Sequence, residues 1–126
     1  MPLRFVKPHG ALYHAANGDR AMAEATLRGV VEALGEELTV LGPPRGMLRD
    51  VATELGLGFA REGFADRSMR PDGSLVPRGD PGAMVVLPAQ AAAQARTLAP
   101  SVDTLCVHGD TEGALHIARA VRDALA

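Results

Sequence analysis

Aromatic residues are scarce in this sequence: one Tyr, three Phe and no Trp among 126 residues. A core must therefore be built from Leu, Val and Ala. There is a single cysteine, Cys106, which rules out a disulfide within the chain and makes a reducing cytoplasm the expected setting. No apolar run approaches the roughly 20 residues a membrane-spanning helix needs. The opening Met1-Pro2-Leu3-Arg4 lacks the apolar region of a signal peptide. Charge is also short on one-sidedness. The formal net charge is −2 and basic residues do not gather on one face, which argues against a nucleic-acid or anionic-membrane partner. Nucleophile elbows, paired-cysteine metal sites and phosphate-binding glycine loops are all missing. So are internal repeats, low-complexity linkers and any sign of a second domain.

What remains is ordinary globular material, 47% hydrophobic and 22% charged, of a length that suits one domain, residues 1–126. Leu3-Arg4-Phe5-Val6 reads as a short strand that runs into Lys7-Pro8-His9-Gly10, where Pro8 stops it and Gly10 permits a tight turn. Asn17-Gly18 is a turn signal and Asp19 a helix N-cap. Ala23, Leu27, Val30, Val31 and Leu34 then recur at helical spacing, with Gly35 at the C-cap. Leu38 to Leu41 is a second strand, closed by Gly42-Pro43-Pro44. Met47, Leu48, Val51, Ala52 and Leu55 share a helix face that ends at Gly56. Leu57 to Ala60 is a third strand. A long polar loop is expected from Arg61 to about Pro81, and loops of that length are usually functional or disordered. Ala83 to Leu87 leads into a helix opening at Pro88 and reaching Leu98. Thr104 to Val107 is the fourth strand, and a last helix is expected to turn Ala114, Ala118, Val121 and Leu125 to one side. Strand alternating with helix predicts an α/β fold of right-handed parallel βα units.

Three of the four strands end in polar clusters: Lys7 and His9 after the first, Glu62, Asp66 and Arg67 after the third, His108 and Asp110 after the fourth. In a parallel sheet those ends share one rim, where α/β folds bind ligands. Taken singly, each residue has a structural alternative. Asp110 fits an N-cap, Asp72-Gly73 fits a turn, and Glu62, Asp66 and Arg67 fit salt bridges that order a loop. His14 and His116 read as surface or packing residues, Tyr13 as a rim or packing residue, and Cys106 as a small buried hydrophobe. Lys7, His9, Asp66, Arg67 and His108 taken together favour a functional rim.

Four segments carry a resemblance. Val6-Lys7-Pro8-His9-Gly10-Ala11-Leu12-Tyr13, Arg61-Glu62-Gly63-Phe64-Ala65-Asp66-Arg67, Asp72-Gly73-Ser74-Leu75-Val76-Pro77-Arg78 and Cys106-Val107-His108-Gly109-Asp110 resemble the LamB/YcsF family, in its order and with similar gaps. The resemblance implies a variant (β/α) barrel of the glycoside hydrolase/deacetylase type. It implies the A subunit of a 5-oxoprolinase, which opens 5-oxo-L-proline to L-glutamate with ATP, and Mg, as co-substrate, in company with subunits B and C. It also implies a place for the chain in carbohydrate metabolism by barrel kinship. On this basis Arg67 or Arg78 is expected to bind the substrate carboxylate and Lys7 to stabilise oxyanion or phosphate charge. Asp66, His9 or His108 is expected to move protons, with Glu62 and Asp110 in substrate binding.

The family also has Asp-Leu-Asn…Asp-Gly-Glu, His-Ala-Gly-Asp and Ala-His-Pro motifs ahead of the lysine-proline-histidine segment. They do not occur here, so the chain corresponds to the family's C-terminal half and no protein metal site is carried over. His14 stands where the family usually has Asn. Half a barrel leaves sheet edges uncovered, so a homo-oligomer is expected. Two other readings stand beside the first: a deacetylase-like carbohydrate hydrolase, which would need a metal, and a truncated non-catalytic remnant or interaction module.

Overall fold

A computed structural model describes residues 2–126; Met1, where the N-terminal reading begins, lies outside them. Four strands and five α-helices are found among the described residues, and they fall into two compact units, Met1–Glu62 and Gly63–Ala126.

The first unit holds β1 (Phe5–Val6), α1 (Ala11–Gly18), α2 (Arg20–Leu34), β2 (Thr39–Gly42), α3 (Met47–Glu54) and most of β3 (Gly58–Phe64). β1 pairs in parallel with β2, Phe5 opposite Thr39, and β2 pairs in parallel with β3, Val40 opposite Phe59. The core is aliphatic, as the shortage of aromatics requires: Ala16, Ala23, Leu27, Val40, Leu48, Val51, Ala52 and Leu57 close on one another. Asp19 caps α2 as expected, its Oδ1 accepting from the Met22 N–H at 2.9 Å. Gly35 ends the same helix with φ of +88° while its N–H returns to Val31 O. Helix α1 departs from the sequence expectation. Asn17-Gly18 reads as a turn, and the helix buries only Tyr13 and Ala16, a stripe too narrow to register as a period. It ends because Asp19 adopts an extended backbone between two helices.

The second unit holds the end of β3, α4 (Pro88–Leu98), a short 3-10 turn (Ala99–Ser101), β4 (Thr104–Cys106) and α5 (Ala114–Leu125). The Ala65 N–H donates to Cys106 O at 3.1 Å, which sets the end of β3 beside β4 and gives the strand order β1-β2-β3-β4. Ala65, Ala91, Ala95, Ile117 and Val121 form this unit's core, with Val85, Leu105 and Val107 against it. α4 presents only alanines to that core, which allows α5 to approach closely. α5 is rotated from the expected face: Ile117 and Val121 are buried, whereas Ala118 and Leu125 are exposed. Ile117 and Val121, four residues apart, share the face that meets the core.

β3 is the main correction. The strand does not stop at Ala60 but continues through Arg61, Glu62, Gly63 and Phe64, residues expected in a loop. The six residues from Glu62 to Arg67 are all buried. Beyond Arg67 the chain forms a folded loop. Arg67 bridges Met84 and Met69 bridges Leu75, both antiparallel, and the Val85 N–H donates to Asp66 O. The loop tip at Asp72-Gly73 is a turn, the Gly73 N–H returning to Arg70 O and the Ser74 N–H to Asp72 Oδ1.

Candidate functional site

In the first unit, Lys7 follows β1 and Glu62 lies on β3. Their side chains form an ion pair, Lys7 Nζ to Glu62 Oε2 at 2.8 Å. Glu62 is only 4% exposed, so a carboxylate on a buried strand is neutralised by a lysine reaching in from the surface. The Lys7 ammonium also stands 5.5 Å from the centre of the buried Tyr13 ring, within range of a cation–π attraction. Glu62 Oε1 is buried and accepts no hydrogen bond. Pro8 is buried and turns the chain, leaving His9 exposed. His14 is exposed too, edge-on to Tyr13.

In the second unit, the backbone bond between Ala65 and Cys106 brings Asp66 level with His108. Asp66 is fully buried and its carboxylate is saturated. Oδ2 accepts from the His108 N–H at 2.7 Å and from Thr111 Oγ1 at 3.3 Å, and Oδ1 lies 2.9 Å from His108 Nδ1. A carboxylate on Nδ1 holds a proton there and leaves Nε2 as the basic nitrogen. The imidazole lies nearly parallel to the Phe64 ring, 15° between planes and 5.7 Å between centres, so the ring is fixed on its face as well as at its edge.

Arg67 is 6% exposed. One of its terminal nitrogens, Nη2, donates to Val76 O at 2.8 Å, while Nε is buried without an acceptor. Its pKa is lowered, first by burial and then by the charge of Arg78. Gln94 holds the backbone here, its Nε2 donating to Phe64 O at 2.6 Å and to Arg67 O at 2.7 Å. Arg78, out on the loop, makes a two-pronged pair with Asp110 at 2.9 and 3.0 Å. Those bonds hold the Asp110 carboxyl down to about 2, against an opposing effect of desolvation. Asp110 is therefore not the N-cap of the last helix; Gly113 stands there, with no side-chain cap. His116 is exposed, as expected of a surface residue.

Asp66, Arg67, Arg78, His108 and Asp110 thus belong to one unit, with Asp66 joined to His108 and Arg78 to Asp110. Lys7, His9 and Glu62 belong to the other, with Lys7 joined to Glu62. Sequence reasoning missed three supporting residues: Thr111, Gln94 and Phe64. Thr111 stands three residues past His108, a spacing that could have pointed to it; Gln94 and Phe64 give no such signal. Among the described residues no three His, Cys, Asp or Glu side chains lie close enough to hold a metal ion. Glu62 is already held by Lys7 and Asp66 by His108, so this donor set does not fit Mg.

Parallel strands feeding helices, with acid, base and imidazole gathered at and just past the strand ends, define an α/β protein. The chain belongs to the LamB/YcsF family, whose sequence profile it matches over residues 1–126. It is 46% identical to the 5-oxoprolinase A subunit of Methylococcus capsulatus over 135 aligned residues, covering 96% of this chain and 52% of that protein. It is 44% identical to the 5-oxoprolinase A subunit of Nocardia farcinica, covering 97% of this chain and 54% of the relative. Among solved structures it is similar to the lactam utilization protein from Thermus thermophilus, with a TM-score of 0.86 and 34% identity, over 99% of this chain and 55% of that one. The chain spans about half the length of the relatives it matches.

Proposed function

We propose that this chain acts as the A subunit, or as part of the A subunit, of a 5-oxoprolinase that opens 5-oxo-L-proline to L-glutamate at the expense of ATP. Its βα units would form part of a variant (β/α) barrel, and subunits B and C would be its cytoplasmic partners. The resemblance to 5-oxoprolinase A subunits at 46% and 44% identity supports the substrate. The observation that carries the chemistry is the Asp66–His108 pair.

A five-membered lactam is a stable amide. Phosphorylating the ring carbonyl oxygen makes the carbonyl carbon electrophilic and releases ADP. Water then adds to that carbon and the ring C–N bond breaks as the ring nitrogen takes a proton, which leaves an acyl phosphate on the side-chain carbonyl; a second water hydrolyses it to the carboxylate of glutamate and inorganic phosphate. Adding water needs a base, and His108 Nε2 is suited to that task because Asp66 fixes the tautomer and direction of the ring. His108 is then the proton-moving group and Asp66 its positioning residue; His9, exposed and without a fixing partner among the described residues, is the weaker candidate. Lys7 would meet oxyanion or phosphate charge, released in part from Glu62, and Arg67 or Arg78 would meet the substrate carboxylate.

Asp66→Asn places an amide where Nδ1–H needs an acceptor and favours the wrong tautomer. In the chain assembled with subunits B and C, Asp66→Asn is expected to lower ATP-dependent glutamate release about 100-fold or more. Lys7→Ala should also reduce turnover well beyond any loss of melting temperature. Wild-type turnover in either variant contradicts the assignment.

A further inference from the structure

Arg67 is a cation that folding has buried without a direct ion pair. Among the described residues its only hydrogen-bond partner is the neutral Val76 carbonyl, and no carboxylate lies within ion-pair distance. The neighbouring acids are committed elsewhere. Asp66, next in the chain, is filled by the His108 N–H, the His108 ring and Thr111. Asp110 is taken by both prongs of Arg78. Arg78 bears on Arg67 by its positive charge, and Asp66 offsets this in part from beyond ion-pair distance. A buried charge left uncompensated is costly, and proteins ordinarily pair it. Lysine at this place could shed its proton; a guanidinium cannot. The Arg67 charge is therefore permanent, and its geometry is held by backbone: Gln94 clamps Arg67 O, and the bridge to Met84 fixes the strand.

We propose that Arg67 is the seat of an oxyanion site in the second unit, taking a carboxylate or a phosphate group. Arg67, and not Arg78, is the receiving cation, because the carboxylate of Asp110 already satisfies Arg78. Arg78 supports the site by its charge and lies at its exposed side on the loop. The choice between the two anions rests on the lactam reading above: the carboxylate would be that of 5-oxoproline, the phosphate that of the nucleotide or of the released product.

The test follows the Nε–Hε NMR signal of Arg67 in the whole chain during titration with three probes. These are inorganic phosphate, L-5-oxoproline, and 2-pyrrolidinone, which has the same lactam ring without a carboxylate. A saturable shift with at least one anion, and none with 2-pyrrolidinone, is expected. Arg67→Met and Arg67→Lys, in which the same titration is read from the backbone amide signals of residues 66–68 and 76, should each weaken that anion about 10- to 100-fold, with a smaller effect from Arg78→Met. Saturation by 5-oxoproline identifies the carboxylate. Saturation by phosphate alone keeps the oxyanion site and overturns its assignment to the lactam substrate. If Arg67→Met fails to fold, Arg67→Lys and the wild-type titration decide. No response of the Arg67 signal to either anion in the folded chain overturns the proposal, as does undiminished binding in Arg67→Lys.

Discussion

Charged side chains of the second unit meet different fates within a short stretch of space, and the differences set their roles. Asp66 is buried and holds the His108 N–H, the His108 ring and the Thr111 hydroxyl. His108 is held at Nδ1 by Asp66. Arg67 is buried without a direct ion pair. Arg78 and Asp110 are exposed and satisfy each other. This last pair makes a pH prediction whose sign is fixed. The Asp110 pKa is depressed from 3.8 to about 2, first by the hydrogen bonds from Arg78. A carboxyl depressed on folding adds stability above its unfolded value that is lost as pH falls through the folded one. The pair should therefore persist through mildly acid pH and open only near pH 2. Because both side chains are largely exposed, its effect on global stability is small. The direct readout is the NMR titration of the Asp110 carboxyl. A midpoint near 2 that returns toward 3.8 in Arg78→Met is expected; an unmoved midpoint in the variant contradicts the pairing.

At the scale of elements, β3 explains both what could and what could not be read from the residues. The helix from Arg20, the helix at Pro88 and the short apolar strands follow from caps, periods and punctuating Gly and Pro. Glu62 and Arg67 have no such local signature of burial. Charged residues at the end of a strand read as loop, and only the tertiary partners, Lys7 for Glu62 and Gln94 for the Arg67 backbone, make them tolerable inside. For the same reason the clustering of polar residues at strand ends was visible, while the pairings within it were not. Asp66–His108 depends on the β3–β4 register set by Ala65 and Cys106. Gly63 records how tight that packing is. A Cβ there would stand 3.1 Å from Leu105 Cδ2, 3.2 Å from Val102 Cγ1 and 3.4 Å from Leu98 Cδ1. Three side chains would have to yield together. Gly63→Ala is therefore expected to destabilise by about 1 kcal/mol or more, measured as a lower urea midpoint at unchanged slope. An equal or higher midpoint would mean the three neighbours relax freely.

For the whole molecule, the two units have separate aliphatic cores, and the first ends in a short strand paired on one side only. β1 pairs with β2 and with no other strand among the described residues. Near it Leu3 is 62% and Phe5 65% exposed, and with Leu34 they line an open groove of about 740 Å³. An open strand edge with exposed apolar residues promotes association. Concentration-dependent self-association is expected by analytical ultracentrifugation. Phe5→Lys, a charge on the edge, should weaken it; a monomer at all concentrations contradicts this.

Lactam opening is tested most directly by ATP-dependent release of glutamate from 5-oxoproline by this chain with subunits B and C. The measurement would be made with and without a separately supplied segment carrying the rest of a full-length relative. Glutamate formation that depends on ATP and on this chain is the expected result. Activity only with the added segment would assign essential chemistry to the half of the relatives that this chain does not match. No glutamate under either condition would contradict the lactam-opening function.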